Sequence, residues 1–462
     1  MGRRLLSRLS IAVLGLALGG AVAAAMPAHE PIAVPSEDFC TASAPGRTLE
    51  ADPDNYQELI GTLQAGDTLL LAAGRYRRLT IADLNGEPGR CITVTGPTAG
   101  QRAVIAGEVR HSTVEIVSSS YIVLSNLAID SLGMGGDGIK APRTTHAATH
   151  HIVLDGNLIA GAGAGQQTDG ISTKTPTWNW VIRRNAIIGA GTGIYLGDGD
   201  GSSPFVAGII ENNLVLDPIG YCMEIKYQLG RPDLPGMPQG SQSTIIRNNV
   251  FIKGDRPSRD GDRPNLLVGG FPDNGPGSHD LYQIYGNLLV HNPREALFQG
   301  SGRITFHDNI LVGGEWAGAV FRNHDLPLKL AYIFNNTIYS PQFGINFGSS
   351  AREGYVVRGN LIFAETPMTG IAIAAQDNLT ALPADARSYV RTPSFRLGAL
   401  DFYPLPGKVK GPPLDLSPFA GELDFDRDFN GVGKDGDRFR GAYAGEGTNP
   451  GWQLRAEIKT NQ

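Results

Sequence analysis

The sequence predicts an all-β solenoid, a rod of stacked coils whose strands run parallel from one coil to the next. Charged residues make up only 18% of the 462 residues, glycine accounts for 61, and no long amphipathic helical pattern is present. This composition favours many short strands joined by tight turns. Two short phrases also recur along the chain. A repeat architecture lets a chain of this length form one continuous core.

The first phrase is an apolar strand that ends in asparagine and is followed by a second short apolar strand. Its asparagines lie 22 to 38 residues apart and are Asn126, Asn157, Asn185, Asn213, Asn249, Asn287, Asn309, Asn336 and Asn360. Asparagine tolerates left-handed backbone angles, and its amide bonds within a turn. Stacked asparagines can also bond to one another along the rod. We therefore interpret one period as one coil.

The second phrase is a strand that follows each asparagine turn, as in DGISTK from Asp169 and TGIYLG from Thr192. Read with period two, it points alternate residues inward. The inward residues include Ile171, Thr173, Ile194, Leu196, Met223, Ile225, Leu266 and Val268. This phrase supplies the third strand of each coil.

The resulting cross-section resembles the three-sheet right-handed parallel β-helix of the pectate lyase superfamily. The resemblance covers residues 60–445 at the level of architecture. It implies roughly nine or more coils between an N-terminal cap and an irregular C-terminal cap. The predicted divisions are 1–25 as signal peptide, 26–115 as cap and first coils, 116–380 as repeats, and 381–462 as capping tail.

The N-terminus is typical of an export signal. Arg3, Arg4 and Arg8 precede an apolar run over 9–18, and small residues follow as cleavage sites. The arginine pair only partly fits the twin-arginine signal, and the apolar run is shorter than a membrane anchor. No later segment is long and apolar enough to span a bilayer. The chain is thus expected to be secreted or periplasmic.

An oxidising compartment permits disulfides. Cys40 and Cys91 could close one across the N-terminal region, which would leave Cys222 as a buried thiol. Sequence alone leaves the pairing open.

The charge of the chain disfavours nucleic acid as a partner. Without the first 25 residues, Lys and Arg fall from 39 to 36 against 45 acidic residues. An acidic protein still binds an anionic polymer if its basic residues gather in one groove. The expected partner is an acidic polysaccharide, and the expected oligomeric state is a monomer.

The outward positions of the third strand predict a site. One column contains Lys140, Ser172, Tyr195, Glu224 and Leu267; the next contains Pro142, Lys174, Gly197, Lys226, Gly269, Gln299 and Arg322. Charged and aromatic groups concentrate in residues 137–231 and then give way to neutral residues. The sequence therefore predicts a groove on these coils.

The resemblance implies a polysaccharide lyase that cleaves a uronic-acid polymer by β-elimination. A basic side chain removes the C5 proton while Ca²⁺ or cationic side chains offset the neighbouring carboxylate. The predicted catalytic residues are Lys174, Lys226 and Arg231. The predicted substrate-binding residues are Lys140, Asp169, Tyr195 and Arg322. The predicted Ca²⁺ ligands are Asp198, Asp200 and Glu224.

Each prediction has a structural alternative. Lys226 can simply pair with Glu224, Asp198 and Asp200 can cap a Gly-rich turn, and Tyr195 can be a partly buried aromatic.

Two further groups could bind a cation. They are the histidines His146, His150 and His151, and the tail residues Asp424, Asp426, Asp428 and Asn430.

Two other functions fit the same architecture. A polygalacturonase-like hydrolase is suggested by QTDG at 167–170, with Asp169 and Asp198 as a carboxylate pair. A noncatalytic carbohydrate-binding protein or adhesin is the other, because a fold does not dictate activity.

Overall fold

The computed structural model describes residues 32–41, 46–144, 148–370, 375–434, 436 and 438–460. The predicted signal peptide lies outside these ranges. In the described part of the chain the structure is almost entirely β. One short helix, α1 (Tyr56–Ile60), and two 3₁₀ helices (Pro383–Ser388 and Ser417–Phe419) accompany forty short strands.

The strands follow one another in chain order. The N-terminal part contains β1 (Thr48–Ala51), β2 (Thr68–Leu71), β3 (Gly74–Tyr76), β4 (Leu79–Ala82), β5 (Ile92–Thr95), β6 (Ala103–Ala106), β7 (Val114–Val117), β8 (Ser120–Ser125), β9 (Ala128–Asp130), β10 (Ile139–Ala141), β11 (Thr149–Asp155), β12 (Leu158–Ala160) and β13 (Asp169–Thr173). The middle contains β14 (Thr177–Trp178), β15 (Val181–Arg183), β16 (Ala186–Ile188), β17 (Thr192–Leu196), β18 (Phe205–Val206), β19 (Ile209–Glu211), β20 (Leu214–Leu216), β21 (Met223–Ile225), β22 (Ser243–Arg247), β23 (Val250–Ile252), β24 (Leu266–Val268), β25 (Leu281–Tyr285), β26 (Leu288–Asn292) and β27 (Phe298–Gly300). The last part contains β28 (Gly302–His307), β29 (Ile310–Gly314), β30 (Ala317–Phe321), β31 (Leu328–Phe334), β32 (Thr337–Tyr339), β33 (Phe343–Phe347), β34 (Gly354–Arg358), β35 (Leu361–Phe363), β36 (Thr366–Thr369), β37 (Ala375–Gln376), β38 (Leu379–Ala381), β39 (Val390–Thr392) and β40 (Asp401–Pro404).

Three long parallel sheets form the solenoid. The wide sheet has 15 strands, including β8, β11, β15, β19 and β22; the back sheet has 12, including β9, β12, β16, β20 and β23; the groove sheet has 11, including β10, β13, β17, β21 and β24. Each coil runs from the wide sheet through the asparagine turn to the back sheet and then to the groove sheet. The predicted right-handed parallel β-helix with three strands per coil is confirmed.

The core consists of columns of apolar side chains stacked coil on coil. One inward column of the groove sheet reads Ile139, Ile171, Ile194, Met223, Leu266, Phe298, Ala319 and Ile345. All eight are fully buried. The period-two pattern therefore assigned the inward face correctly, and it fixes the opposite face as the one that displays polar groups.

A ladder of buried asparagines runs along the turn between the wide and back sheets. From Asn157 to Asn378, each side-chain amide donates to the next side-chain carbonyl at 2.9–3.0 Å. The ladder was predicted, with two differences. Asn126 is not part of the ladder. In its coil Leu127 takes the position that an asparagine takes in later coils, and the main-chain N–H of Leu127 donates to Asn157 Oδ1 at 3.1 Å. Asn378 continues the ladder one coil beyond Asn360.

The left-handed residue of each turn precedes the ladder asparagine. Gly156, Arg184, Asn212 and Asn248 have φ values of 67°, 54°, 52° and 56°. The asparagine itself is thus selected for its amide rather than for its tolerance of positive φ.

An extended N-terminal segment crosses the outer face of the wide sheet. Ala33 bonds to the main chain at Ser241 and Ser243, and the segment ends in a disulfide between Cys40 and Cys91. That pairing was predicted, and Cys222 is the buried free cysteine. Burial raises the pKa of the Cys222 thiol.

The C-terminal tail packs along the outside of the solenoid. Phe402, Phe429 and Tyr443 of the tail join Leu214 and Leu288 of the back sheet in one apolar cluster. A second cluster places Phe419 against the wide sheet. The tail therefore shields two outer faces over several coils.

Candidate functional site

Successive coils of the groove sheet bring the predicted polar residues into register. Lys140 pairs with Ser172, Ser172 with Tyr195, Tyr195 with Glu224, and Glu224 with Leu267. This outward column has the predicted order. Gln299 was predicted in the second column but pairs with Leu267 and so belongs to the first; the loop lengths between coils vary, and the offset of this coil was misjudged.

The second column lies two residues further along each strand, where the strands leave the sheet. It carries Lys174 and Lys226. Val320 aligns with Gln299 in the first column, so Arg322, two residues later, belongs to the second column. The long basic side chains of this column can lean back over the first column.

A polar cleft of about 140 Å³ opens on this face. Four predicted residues line it: Asp169, Tyr195, Glu224 and Lys226. They come from three consecutive coils and are up to 57 positions apart in the chain. Stacking alone brings them together.

Asp169, which lines the cleft, forms an ion pair with Lys174, whose side chain is partly buried at 22% exposure. Lys174 Nζ lies 3.6 Å from Asp169 Oδ2 and 3.2 Å from the centroid of the Tyr195 ring. Burial, reinforced by the nearby Asp137, raises the pKa of Asp169 well above its ordinary value. Burial lowers the pKa of Lys174. Both shifts favour the neutral forms, a carboxylic acid beside an amine.

Glu224 and Lys226 form a second pair two coils further along the solenoid. Lys226 Nζ lies 3.2 Å from Glu224 Oε1, and the carboxylate side chain is only 3% exposed. Burial raises the pKa of Glu224, and burial likewise raises the pKa of Tyr195. Tyr195 therefore keeps its hydroxyl proton while it separates the two carboxyl groups along the stack.

Lys140 is neutralised by a residue that the sequence did not single out. Its Nζ lies 2.9 Å from Asp137 Oδ2. Asp137 also accepts hydrogen bonds from Ser172 Oγ at 2.9 Å and from the main-chain N–H of Asp169 at 3.0 Å. Asp137 thus positions Asp169 and ties Lys140 to the floor of the groove.

Five further residues line the cleft and were not predicted. They are Gln166, Gln167, Thr192, Tyr221 and Arg263. Arg263 bonds to main-chain oxygens of Asp260 and Asp262 and makes no ion pair with a carboxylate in the described part of the chain. All five precede or begin a groove-sheet strand. Arg263 lies in an inserted loop, and such loops differ from coil to coil and escape a comparison of repeated phrases. Thr192, in contrast, begins a repeated phrase, and only its outward neighbours were considered.

Arg231 lies apart from the cleft. Its side chain is 1% exposed, pairs with Asp280, and donates to the main-chain oxygens of Pro238 and Gly240 at 2.7 Å. An arginine held in this way organises its loop. It does not flank Lys226, as its position in the sequence had suggested.

Arg322 extends the positive charge beyond the cleft. Among the described residues its Nε is buried without a hydrogen-bond partner. Burial lowers the pKa of His324; Asp325 opposes this, while Arg322 and Lys226 lower it further. Within the described ranges neither Arg263 nor Arg322 forms an ion pair with a carboxylate, and both lie on coils C-terminal to the Glu224–Lys226 pair.

The three predicted Ca²⁺ ligands do not form a set. Asp198 is paired with Arg143, Asp200 accepts from the main-chain N–H and hydroxyl of Ser202, and Glu224 pairs with Lys226. Within the described ranges no three His, Cys, Asp or Glu side chains converge as metal ligands would. The donors present do not fit Ca²⁺ as they are arranged.

Two other predicted cation groups are engaged in local structure. His150 and His151 bond through their Nδ1 atoms at 2.8 Å and stack on Trp178 and Tyr121, respectively; burial lowers the pKa of each to about 4. His146 lies outside the described residues.

In the tail, Asp428 accepts three main-chain N–H groups, from Asn430, Val432 and Ala444. Those bonds occupy both of its carboxylate oxygens in holding the turn. Among the described residues, neither Asp424 nor Asp426 belongs to a group of three His, Cys, Asp or Glu side chains that could hold a metal ion.

Comparisons with known proteins find similar structures but no relatives by sequence. No family model matches the chain, and no curated protein matches it. The pectate lyase Pel9A is 11% identical, with a TM-score of 0.45, over 93% of this chain and all of its own. A mutant PL6 family alginate lyase is 14% identical, with a TM-score of 0.44, over 87% of this chain. This chain covers only 59% of that lyase's length.

A third similar structure is the A-module of a mannuronan C-5 epimerase from Azotobacter vinelandii. It is 13% identical, with a TM-score of 0.40, over 68% of this chain and 90% of its own. These neighbours are right-handed β-helix proteins. No helix in the described ranges is long and apolar enough to cross a membrane.

Proposed function

We propose that the chain is an exported polysaccharide lyase that cleaves a uronic-acid polymer by β-elimination in the cleft. The observation that carries the proposal is the Asp169–Lys174 pair, in which Asp169 lines the cleft and Lys174 Nζ lies 3.6 Å from its Oδ2. The lowered pKa of Lys174 favours an amine that can act as a base, and the raised pKa of Asp169 favours a carboxylic acid that can donate a proton. The reaction needs both at one glycosidic linkage.

Lys174 is the base in this scheme. Its neutral amine takes the C5 proton, and the electron pair of that C–H bond forms a double bond between C4 and C5. The bond from C4 to the glycosidic oxygen breaks, and that oxygen takes the proton of Asp169. Lys174 is then an ammonium beside a carboxylate, and transfer of one proton between the two groups restores the starting pair. The step therefore needs no co-reactant.

Arg263 and Lys226 bind carboxylates of the polymer on the C-terminal side of Lys174, because strand register places Lys226 two coils and Arg263 three coils beyond it. There they hold the anionic chain in the cleft. Arg263 is the better candidate because no carboxylate of the described chain competes for its guanidinium, and its planar fork suits a carboxylate. No step is routed through Ca²⁺. Export is supported by the Cys40–Cys91 disulfide.

A hydrolase is the second candidate, and one observation favours it. Asp169 and Glu224 are two buried carboxyl groups in one cleft, both with raised pKa values. Strand register places them two coils apart, about 10 Å along the rod. Asp169 aligns with Thr192 and Glu224 with Tyr195, so the two are also offset by three residues along the strands. Two carboxyl groups on separate coils suit the wider spacing of an inverting glycosidase, since a retaining enzyme needs a closely spaced pair. Glu224, rather than Asp198, is then the partner of Asp169.

The products distinguish the possibilities. Purified protein is incubated with polygalacturonate, alginate and a glycosaminoglycan, with and without chelator, and products are followed by ultraviolet absorbance and by reducing ends. The lyase predicts both signals in equal amounts for one polymer. Reducing ends without absorbance would establish the hydrolase instead. Retention in a polymer-containing gel without either signal would leave the noncatalytic binding protein.

A further inference from the structure

Trp316 lies at the edge of the groove sheet where the strands begin, and the proposed function does not use it. Trp316 lies there half-buried, immediately before β30. Its indole N–H donates to Glu295 Oε2 at 3.3 Å. Its ring meets Phe343 edge to face, with 6.2 Å between centroids and 83° between planes. The indole is thus held by two neighbouring coils.

Register places this tryptophan in line with the cleft. Arg263, Glu295 and Trp316 each precede by three residues one member of the aligned set Leu266, Phe298 and Ala319. They therefore occupy equivalent positions on three successive coils. Two coil rises separate Trp316 from Arg263, which is about 10 Å. One coil rise is close to the length of one sugar unit in an extended pyranose chain.

We propose that Trp316, with Glu295, forms a distal subsite that binds the pyranose ring lying two sugar units from the one held at Arg263. The C–H face of a pyranose packs on an aromatic face, and Glu295 can accept hydroxyl protons of the same sugar. Recognition at this subsite uses the ring and its hydroxyls, whereas recognition at Arg263 uses the carboxylate. This inference rests on the proposed function, because it assumes a polysaccharide in the cleft.

The alignment also indicates on which side of the cleft the bound chain extends. The ion pair Asp137–Lys140 lies on the coil before the cleft, and Asp169–Lys174 lies on its first coil. Arg263 lies on the last coil of the cleft, without a carboxylate partner among the described residues, and Trp316 lies two coils further on. An anionic chain therefore gains its additional contacts on the C-terminal side. A trisaccharide bound at the Asp169–Lys174 pair, three coil rises before Arg263, stops well short of Trp316.

The protein's own fluorescence gives a direct test. Trp178, Trp180 and Trp452 are 1%, 0% and 9% exposed, so Trp316 is the tryptophan most open to a soluble quencher. Quenching by acrylamide is measured with polygalacturonate, with alginate, and with a trisaccharide of each. The subsite predicts that the bound polymer protects the fluorescence and that the trisaccharide does not.

Kinetics provide the second measurement. Trp316→Ala should lower kcat/KM on the polymer about tenfold and leave kcat/KM on the trisaccharide unchanged, while Trp316→Phe should retain most of the polymer activity. Phe395→Ala is the matched control, since Phe395 is 43% exposed and stacks on Tyr339 away from the groove.

The outcomes separate the two proposals. A polymer that is cleaved without protecting Trp316, or an equal loss on polymer and trisaccharide, would refute the subsite and leave the lyase standing. A polymer that protects Trp316 but is not cleaved would refute the lyase and leave the subsite standing. If neither polymer is bound or cleaved, both proposals fail.

Discussion

Replacing one rung of the asparagine ladder tests how the coils are held in register. Asn249 is fully buried. Its side-chain oxygen accepts from both the main-chain N–H and the side-chain amide of Asn213 at 3.0 Å. Its own amide donates to Ile210 and to Asn287 at 2.9 and 3.0 Å. It also donates to the main-chain oxygen of Arg247 at 3.0 Å, so Asn249→Ala removes five hydrogen bonds at a site that excludes water.

The expected cost follows from these bonds. Each buried hydrogen bond contributes about 1 kcal/mol, and a buried group left without a partner costs about 1–3 kcal/mol. The N–H of Asn213 and the carbonyl of Ile210 lose these partners, so Asn249→Ala should lower the free energy of unfolding by about 4 kcal/mol. The end of the ladder offers a control: Asn378 is half-buried, and water can replace its bonds. Asn378→Ala should cost about 1 kcal/mol.

Guanidinium titration followed by circular dichroism measures both variants. A midpoint shift for Asn249→Ala several times that for Asn378→Ala is the expected result. Equal shifts, or no shift for Asn249→Ala, would refute the reasoning that the ladder bonds stabilise stacking, and the apolar columns would then suffice.

Three further predictions concern the disulfide, the histidine pair and the acid of the cleft. Cys40→Ser together with Cys91→Ser opens a loop spanning 51 residues and should lower stability by about 4 kcal/mol, measured by thermal unfolding; an unchanged midpoint would contradict this. The pKa values of His150 and His151 in the folded protein lie near 4, below their ordinary 6.5. Between pH 6.5 and pH 4 the unfolded chain therefore binds protons at these histidines that the folded protein does not, and the free energy of unfolding decreases as the pH falls through this range. Changing both to Phe should flatten this acid loss in denaturant titrations, and an unaltered pH dependence would show that other groups cause it. Asp169→Asn removes the acid whose deprotonation should end activity at high pH, so the residual kcat/KM should fall by about 10²–10⁴ and lose its alkaline decline; a retained decline would assign it to another group.

The fold and half of the cleft could be read from the sequence because both depend on periodicity. Alternation with period two fixes which side chains of a strand face outward, and the repeated phrase aligns one coil with the next. Tyr195 and Glu224 were therefore placed side by side although 29 residues separate them.

The remaining contacts come from segments without a repeat. Arg263 lies in an inserted loop, and Arg231 finds its partner Asp280 in a later coil, so no phrase comparison could place either. Asp137 was not predicted, because it acts by accepting a hydrogen bond from the main-chain N–H of Asp169 on the next coil, and the repeated phrase does not reveal this contact. Gln299 was misaligned for a related reason, since an insertion changes the spacing between strands.

The central claim is that Lys174 removes the C5 proton of a uronic-acid sugar in this cleft. The direct measurement is the rate of unsaturated product formation, followed by ultraviolet absorbance, for the wild type, Lys174→Met and the exposed control Lys408→Met. The account predicts that Lys174→Met loses about 10²–10⁴ in kcat and that Lys408→Met matches the wild type. A Lys174→Met variant that forms unsaturated product at the wild-type rate would contradict it.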